Sequence, residues 1–378
     1  MDNRVRYVDY YALWAERSVA GRIRPSNVFE PDMSSNEQRV PLSVLELAPV
    51  GTGQTSADAL RAATTLAQRV EDLGYRRFWV AEHHNMPGVA STSPAVLIAH
   101  VAGATHSLKV GSGGVMLPNH APLVVAEQFA MLEALHPGRI DLGIGRAPGT
   151  DPKTAAALRR TPEGLGAEDF PRELDDLLAL LGDPTRPSPR ELTLAATPAQ
   201  TSAPSVWLLG SSGYSAQVAG LLGLPFAFAH HFSAQNTEPA MELYRSRFRP
   251  SETLAEPYAM VTQAAYVADT REEAERIALP SRLTQLSLRT GKPRAMPSLE
   301  EAAAHEWTDQ ERELLAAWPS RPAIGDPDSV VAELSDLVAR TSADELMVTT
   351  MTHGLSERVR SFELLAKAWG SEFPVTAS

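Results

Sequence analysis

The chain has no cysteine anywhere in its 378 residues. That absence removes disulfides, thiolate zinc sites, iron–sulfur clusters and a cysteine nucleophile together. No apolar run approaches the roughly 18 residues needed to span a bilayer. The first 25 residues also lack the apolar stretch of a secretory signal. A cytoplasmic protein with no membrane association is expected. Basic residues are in the minority, 34 Lys and Arg against 46 Asp and Glu, for a formal charge of -12. Such a surface repels phosphate polymers and anionic lipid, so nucleic acid is not an expected partner.

What is present is a globular composition, 43% hydrophobic and 21% charged, with enough apolar material for one large core. Length alone does not fix the number of domains, because (β/α)8 barrels of about 250 residues or more form single units. Residues 1–40 are polar, mixed and without clear period, and are read as an N-terminal extension. Met33, followed by Ser34-Ser35-Asn36-Glu37-Gln38, is a candidate natural start. From residue 41 to 372, short β-rich runs alternate with helical patterns, the signature of βα units around a parallel sheet. Strands are expected at 42–50, 77–83, 109–117, 140–146, 206–211, 226–231, 260–267 and 346–352. Helices are expected at 57–73, 95–106, 123–135, 173–181, 215–222, 239–248 and 357–369. Gly74 and Gly223 follow two of these helices and Pro94 opens another, as helix-end chemistry favours. The fold class is therefore α/β, a (β/α)8 TIM barrel. Two connections exceed ordinary loop length, 147–170 after strand four and about 280–326 between strands seven and eight. The first follows a strand's C-terminal end and is expected to form a mobile lid over the site, or a solvated insertion.

In such barrels the chemistry lies where strands end and βα loops begin. Strand two ends Glu82-His83-His84, and side chains alternate along a strand, so one histidine faces the barrel axis while its neighbour packs sideways. Imidazole titrates near neutral pH and can move protons there. Gly113 and Gly114 interrupt a β-forming run, either for tight packing or to let a flat ring approach the backbone. Ile140, Leu142 and Ile144 are expected to face the helices, leaving Asp141, Gly143 and Gly145 on a face with room for a ligand. Arg146 suits a phosphate or anionic ring beside that space, or an ion pair with Asp141. The run from Gly210 through Ser211, Ser212, Gly213 and Tyr214 to Ser215 leads into a helix, so its donors converge where phosphate is favoured, or serve only as a cap. The dinucleotide fingerprint fails, since Gly143 and Gly145 lead on to Pro148 rather than a third glycine. The serines around Ser211 do not form a nucleophile elbow.

Three segments together resemble the bacterial-luciferase-like monooxygenases, which are flavin-dependent barrels. They are Phe78-Trp79-Val80-Ala81-Glu82-His83-His84-Asn85, the run from Val110 through Gly113-Gly114 to Pro118-Asn119-His120, and the run from His136-Pro137-Gly138-Arg139 to Arg146. The resemblance covers about residues 41–369. It implies reduced FMN at the barrel mouth, activation of molecular oxygen and its transfer to a small organic substrate. By position, His83 resembles the family's catalytic histidine, and Gly113-Gly114 its small residues at a cis peptide beneath the flavin. Glu82, Arg146, Ser211, Ser212 and Tyr214 complete the expected cofactor-binding set, with His84 and His231 in the substrate pocket. No reductase segment is visible, so a separate flavin reductase is an expected partner, along with a second copy in a homodimer. Glu46 departs from the family pattern, where a shorter acid is common, and is expected to alter the pocket floor. Deazaflavin is the alternative cofactor, because relatives that use it share the fold.

Two rivals stand beside this reading. His83, His84, His230, His231 and His353 all fall near strand ends, as in a metal-dependent barrel hydrolase. Such sites need a tight ligand set with carboxylates, whereas strand one carries no histidine and strand four supplies arginine, so no metal is expected. The second rival is a non-catalytic flavin carrier, which the sequence separates poorly from an enzyme.

Overall fold

The computed structural model describes residues 39–158, 168–182, 194, 196–198, 202–317 and 321–370. Strands and helices alternate as β1 Leu42–Glu46, α1 Ser56–Asp72, β2 Arg77–Val80, α2 Pro94–Gly103, β3 Lys109–Ser112, β4 Val115–Met116 and α3 Pro122–Leu135. There follow β5 Ile140–Gly145, α4 Pro152–Ala157, α5 Phe170–Leu180, β6 Ser205–Gly210, α6 Gly213–Leu222, β7 Phe226–Phe228, α7 His230–Ser233 and α8 Thr237–Arg247. The chain closes through β8 Ala259–Val267, α9 Arg271–Arg289, α10 Leu299–Ala303, α11 Asp309–Ala316, β9 Ala323–Gly325, α12 Pro327–Thr341, β10 Glu345–Thr349 and α13 Leu355–Trp369.

All strand pairings in the sheet are parallel, and β10 pairs with both β1 and β8, so β1, β2, β3, β5, β6, β7, β8 and β10 form a closed eight-stranded (β/α)8 barrel. The expected strands and helices are all present, with ends displaced by a few residues. Helix α1 shows why the pattern was readable. Thr55 and Asp58 form a reciprocal capping box, and Ala59, Ala63, Leu66, Ala67 and Val70 recur at helical spacing on its buried face.

Three expectations need correction. The run 109–117 is not one strand, because a cis peptide between Gly113 and Gly114 separates β3 from β4. The run 226–231 ends at Phe228, and His231 lies in the one-turn helix α7 instead. The stretch 280–326 is not a bare connection. Helix α9 continues through Pro280, and α10, α11 and β9 follow, with β9 pairing alongside Ala265–Val267 at the end of β8. The expected lid lies partly outside the described residues; its first part holds the short helix α4, capped by Asp151. The N-terminal extension also lies outside them up to residue 38.

Side-chain alternation divides the core. Phe78, Val80, Leu42, Val44, Ile140, Leu142, Ile144, Leu346 and Val348 meet the helices, while Leu45, Trp79, Trp207, Ala227, Met260 and Met347 fill the barrel interior. At the lower end of that interior sits a fully buried guanidinium. Arg77 Nε donates to both oxygens of Glu345, at 2.9 and 3.1 Å, and Nη1 donates to Asp141 at 2.7 Å. Trp79 Nε1 donates to Asp141, and Tyr258 Oη and Ser43 Oγ donate to Glu345. The guanidinium also lies 4.8 Å from the Trp207 ring. Burial pushes the Glu345 carboxyl up, but the Arg77 charge and the hydroxyl donors hold it below its ordinary value.

Removing one partner of a buried ionic cluster leaves the others without compensation. Arg77→Met should therefore lower unfolding free energy by about 3–5 kcal/mol, measured by urea denaturation. A loss below 1 kcal/mol, the range of exposed ion pairs, would contradict the role given to this cluster.

Candidate active site at the barrel mouth

Continuing the alternation past β2, His83 shares parity with Arg77 and Trp79, whereas Glu82 and His84 share it with Phe78 and Val80. The two histidines accordingly differ in partners. His84 Nε2 bonds Glu82 at 2.9 Å, while His83 Nδ1 bonds the Gly149 carbonyl at 3.2 Å. A carbonyl can only accept, so Nδ1 carries the hydrogen and Nε2 of the neutral ring keeps its lone pair. Burial lowers the His83 pKa from its ordinary value, which favours that neutral ring.

Glu82 is completely buried. Its carboxylate accepts from the Met116 N–H at 3.0 Å, Asn119 Nδ2 at 2.8 Å, His84 Nε2 and His120 Nε2 at 3.0 Å. Burial raises its pKa, but hydrogen bonds from His120, His84 and Asn119, with the His120 interaction, bring the net shift below the ordinary value. With no exposed surface, this carboxylate reaches a ligand only through the groups it holds. Asn119 and His120 were not assigned roles from sequence; the polar pair directly after Pro118 was their only signal.

The segment after β5 folds back over the histidines. Thr150 Oγ1 donates to the His84 carbonyl at 2.7 Å, Asn119 Nδ2 reaches the Pro148 carbonyl, and Asn85 Nδ2 donates to Thr154 at 3.0 Å. Gly149 adopts a φ of 65°, and a Cβ there would lie 2.7 Å from the Glu82 carbonyl oxygen, so no larger residue permits this approach. Gly149 and Thr150 were also missed as site residues.

The space expected beside Gly143 and Gly145 is filled by protein. A Cβ on Gly143 would sit 2.1 Å from the Ser112 carbonyl oxygen, and one on Gly145 would meet Met116. These glycines serve strand approach. Gly113 is partly exposed at the mouth, where a Cβ would strike Leu45, and on Gly114 it would strike Leu209. Asp141 pairs with Arg77 rather than Arg146. Arg146 instead stacks on Tyr214, 4.3 Å from the ring centroid, joining the end of β5 to the first turn of α6. Ser212 is the N-cap residue of α6, yet its side chain makes no capping bond. The Ser211 carbonyl accepts from Ser233 Oγ at 2.8 Å. Glu46 does not form a pocket floor. It faces outward like Leu42 and Val44, accepts from Arg358 Nη1 and the Ala48 N–H, both at 2.8 Å, and has its pKa raised by burial.

His231 joins the group from across the mouth. Its Nδ1 reaches the Thr262 carbonyl at 3.4 Å, and burial, with His230 and His83 nearby, drives its pKa down to about 4. His353 lies apart, bonded to the Thr52 carbonyl, and His230 bonds Thr237. Among the described residues, no group of three or more His, Asp or Glu is arranged to hold a metal ion.

The family model for luciferase-like monooxygenases matches residues 41–345. The chain belongs to the luciferase-like monooxygenase family. It is an oxygen-incorporating oxidoreductase by that membership. The chain is 48% identical over 339 residues to the Bacillus subtilis protein YvbT, covering 89% of this chain and 99% of that one. It is 42% identical over 328 residues to an Escherichia coli luciferase-like monooxygenase, covering 87% and 96%. The solved structure of apo-MsnO8 superposes with a TM-score of 0.80 at 40% identity, covering 88% and 99%. An N-acetyl-S-alkylcysteine monooxygenase of Bacillus subtilis is 32% identical over 329 residues, covering 86% and 97%. Fold alone is shared with the oxygenating constituent of 3,6-diketocamphane monooxygenase of Pseudomonas putida in complex with FMN, at 17% identity and TM-score 0.63, covering 88% and 99%. The same holds for an F420-dependent secondary alcohol dehydrogenase, at 13% identity and TM-score 0.64 with the same coverage.

The half-buried His231, its ring desolvated on the protein side, is expected to make the chain sensitive to acid. The unfolded chain takes up its proton near pH 6.5 and the folded chain only near pH 4, so acidification through that window favours unfolding. Stability from this group is fully present above pH 6.5 and falls by up to about 3 kcal/mol toward pH 4. His231→Gln should flatten that part of the stability–pH curve in urea denaturation. An unchanged slope would show that His231 titrates normally.

Proposed function

We propose that the chain uses reduced FMN and molecular oxygen to oxygenate a small organic substrate in the cytoplasm, receiving the flavin from a separate reductase. The observation that carries this reading is the pair of imidazoles, His83 and His231, each bonded through Nδ1 to a carbonyl and each held toward its neutral form. The donor set suits the flavin. The uncapped first turn of α6, with the Ser212 hydroxyl and backbone N–H groups, suits a phosphate, and Arg146 stacked on Tyr214 adds a cation beside it. The exposed side of Gly113 suits close approach of a flat ring. Reduced FMN, when bound, supplies the electrons that activate oxygen.

The protein's own groups do the rest. His83 Nε2 is the group that accepts and returns a proton at the mouth. Glu82 acts as a positioning residue, holding His84, His120 and the Met116 backbone. His84 lines the pocket wall with His231. The 146–154 segment, tied down at His83, His84 and Asn85, keeps water from the ring. The sequence relatives named as monooxygenases support oxygen transfer over deazaflavin-dependent dehydrogenation, since the F420 enzyme is alike in fold alone.

Incubation with FMN, a flavin reductase, NADH and oxygen, followed by a metabolite screen for a mass gain of one oxygen, tests the reading. His83→Ala should retain FMN within a few-fold while substrate oxygenation falls by about 100-fold or more, the scale of general acid–base catalysis. Equal oxygenation by the variant would remove His83 from the mechanism. Turnover with a deazaflavin but not FMN would move the chain to the dehydrogenase branch.

A second copy of this chain fits the face made by α2 and α3. Val96 of α2 and Val124, Met131 and Leu135 of α3 are exposed by 48–68%. Beside them lie exposed Ala99, Gly103, Gln128 and Ala134, and a Cβ on Gly103 would meet nothing. Helix α2 has no Asp, Glu, Lys or Arg at all. Two copies that each carry -12 repel least where exposed charge is sparse, Glu127 of α3 being half-buried and bonded by Thr197, and an isologous pairing would cover both apolar patches at once. Met131→Asp should convert a dimer to a monomer in light scattering coupled to gel filtration. A wild-type monomer, or an unaffected dimer, would contradict this interface.

A further inference from the structure

We infer that Ser233 is a positioning residue that sets the orientation of the Ser211–Ser212 peptide and ties it to the His231 side of the mouth, an assignment that rests on the flavin reading. The starting point is the planarity of a peptide unit. The Ser211 carbonyl and the Ser212 N–H belong to one plane and point in opposite directions. Fixing the carbonyl therefore aims the N–H.

Ser233 Oγ donates to that carbonyl at 2.8 Å. Asn236 Nδ2 donates into the same Oγ at 2.9 Å, which occupies a lone pair and commits the hydroxyl hydrogen to Ser211. With the carbonyl directed toward α7, the Ser212 N–H points away from α7, at the opening of α6 where Ser212 itself provides no cap. A donor that α7 aims in this way belongs to the surface offered to a phosphate.

Helix α7 also carries the substrate side of the mouth. His231 bonds the Thr262 carbonyl, and Phe232, 46% exposed, packs edge-on against its ring with centroids 4.7 Å apart. Behind α7 lies a lateral cavity of about 430 Å³, lined by His230, Ala234, Gln235, Gln263, Leu334 and Leu337. Four polar ties hold this single turn: the Ala229 N–H to the Gly210 carbonyl at 2.9 Å, His230 to Thr237 at 2.8 Å, His231 to the Thr262 carbonyl, and Ser233 to Ser211. Two of the four run to the β6–α6 junction. A change at that junction passes to His231 through Ser233.

The full chain, as Ser233→Ala and as Ser233→Thr, is titrated with FMN by fluorescence quenching. The histidine side chains are followed in parallel by NMR of histidine-labelled protein. Loss of one buried neutral hydrogen bond corresponds to about a three- to tenfold weaker FMN affinity in Ser233→Ala. In wild type and Ser233→Thr, FMN should move the His231 ring resonances. In Ser233→Ala that response should be lost while the remote His100 and His106 resonances stay in place, which a general loss of folding would not produce. Wild-type FMN binding with unchanged affinity and unchanged His231 response in Ser233→Ala overturns the positioning role alone. Failure of the wild type to bind FMN removes the flavin reading and this role with it.

Discussion

A guanidinium sealed inside the barrel constrains everything above it. Arg77 is accommodated because Asp141 of β5 and Glu345 of β10 meet it there, with Trp79 donating a further hydrogen bond to Asp141 and Tyr258 and Ser43 donating to Glu345. Uncompensated, such a charge would cost several kcal/mol to bury. A slip of one residue in β2 would carry Arg77 out among the aliphatic side chains facing the helices and bring Phe78 inward. The cluster thus fixes the register of β2 against its partners. The same alternation, carried upward through Trp79, brings His83 to the mouth on the axial side. The position of the proposed proton-handling group is decided six residues below it.

Three buried glutamates show how donor number sets the state of a carboxyl group. Glu46 has the Arg358 charge and one backbone N–H, yet burial still dominates and its pKa is raised. Glu345 has a guanidinium and two hydroxyls and ends below its ordinary value. Glu82 has no arginine among its recorded partners; donors from His120, His84 and Asn119, together with the charge interaction of His120, hold it below the ordinary value. Converging hydrogen bonds to the charged form thus supplement a weak counterion. Convergence has a structural consequence here. The donors come from β4, from the turn after it and from His84, so Glu82 joins neighbouring parts of the mouth at one point.

The barrel was legible from sequence because each strand and helix obeys its own period. The alternating sets in β5 and β10 and the capped stripe of α1 can be read without knowing their partners. Short motifs also identified the strand ends that carry the site. What could not be read depends on contacts distant in sequence. Gly143 and Gly145 signalled empty space, but the structure fills it with Ser112 and Met116, because a missing side chain looks the same whether ligand or neighbouring strand takes its place. Glu46 was assigned to the pocket by its location in β1, although parity with Leu42 and Val44 already pointed it outward. Gly149 and Thr150 carry no local signature, and Asn119 stood only within a quoted motif without a role; their importance arises where two loops cross over His83 and His84. No helix was expected where α9 lies; Pro280 falls in its interior although proline normally ends a helix, and the surrounding packing of Ile277, Ala278, Ser281 and Leu283 overrides that tendency.

The distribution of acceptors among the histidines bears directly on their chemistry. A carboxylate partner stabilises imidazolium, whereas a carbonyl partner orients the ring with much less bias toward the charged form. The chain commits its mouth carboxylate, Glu82, to His84 and His120, and gives His83 and His231 carbonyls instead, from Gly149 and Thr262. Burial then lowers both of their pKa values. The result is two neutral rings, each with Nδ1 turned to the protein and Nε2 left as an acceptor. A carboxylate at His83 would instead bias that ring toward its charged form, a donor where the proposed chemistry needs a group able to take a proton. Composition is not what distinguishes His83 from His84, adjacent and identical as they are. One residue of strand parity gives one a carboxylate and the other a carbonyl.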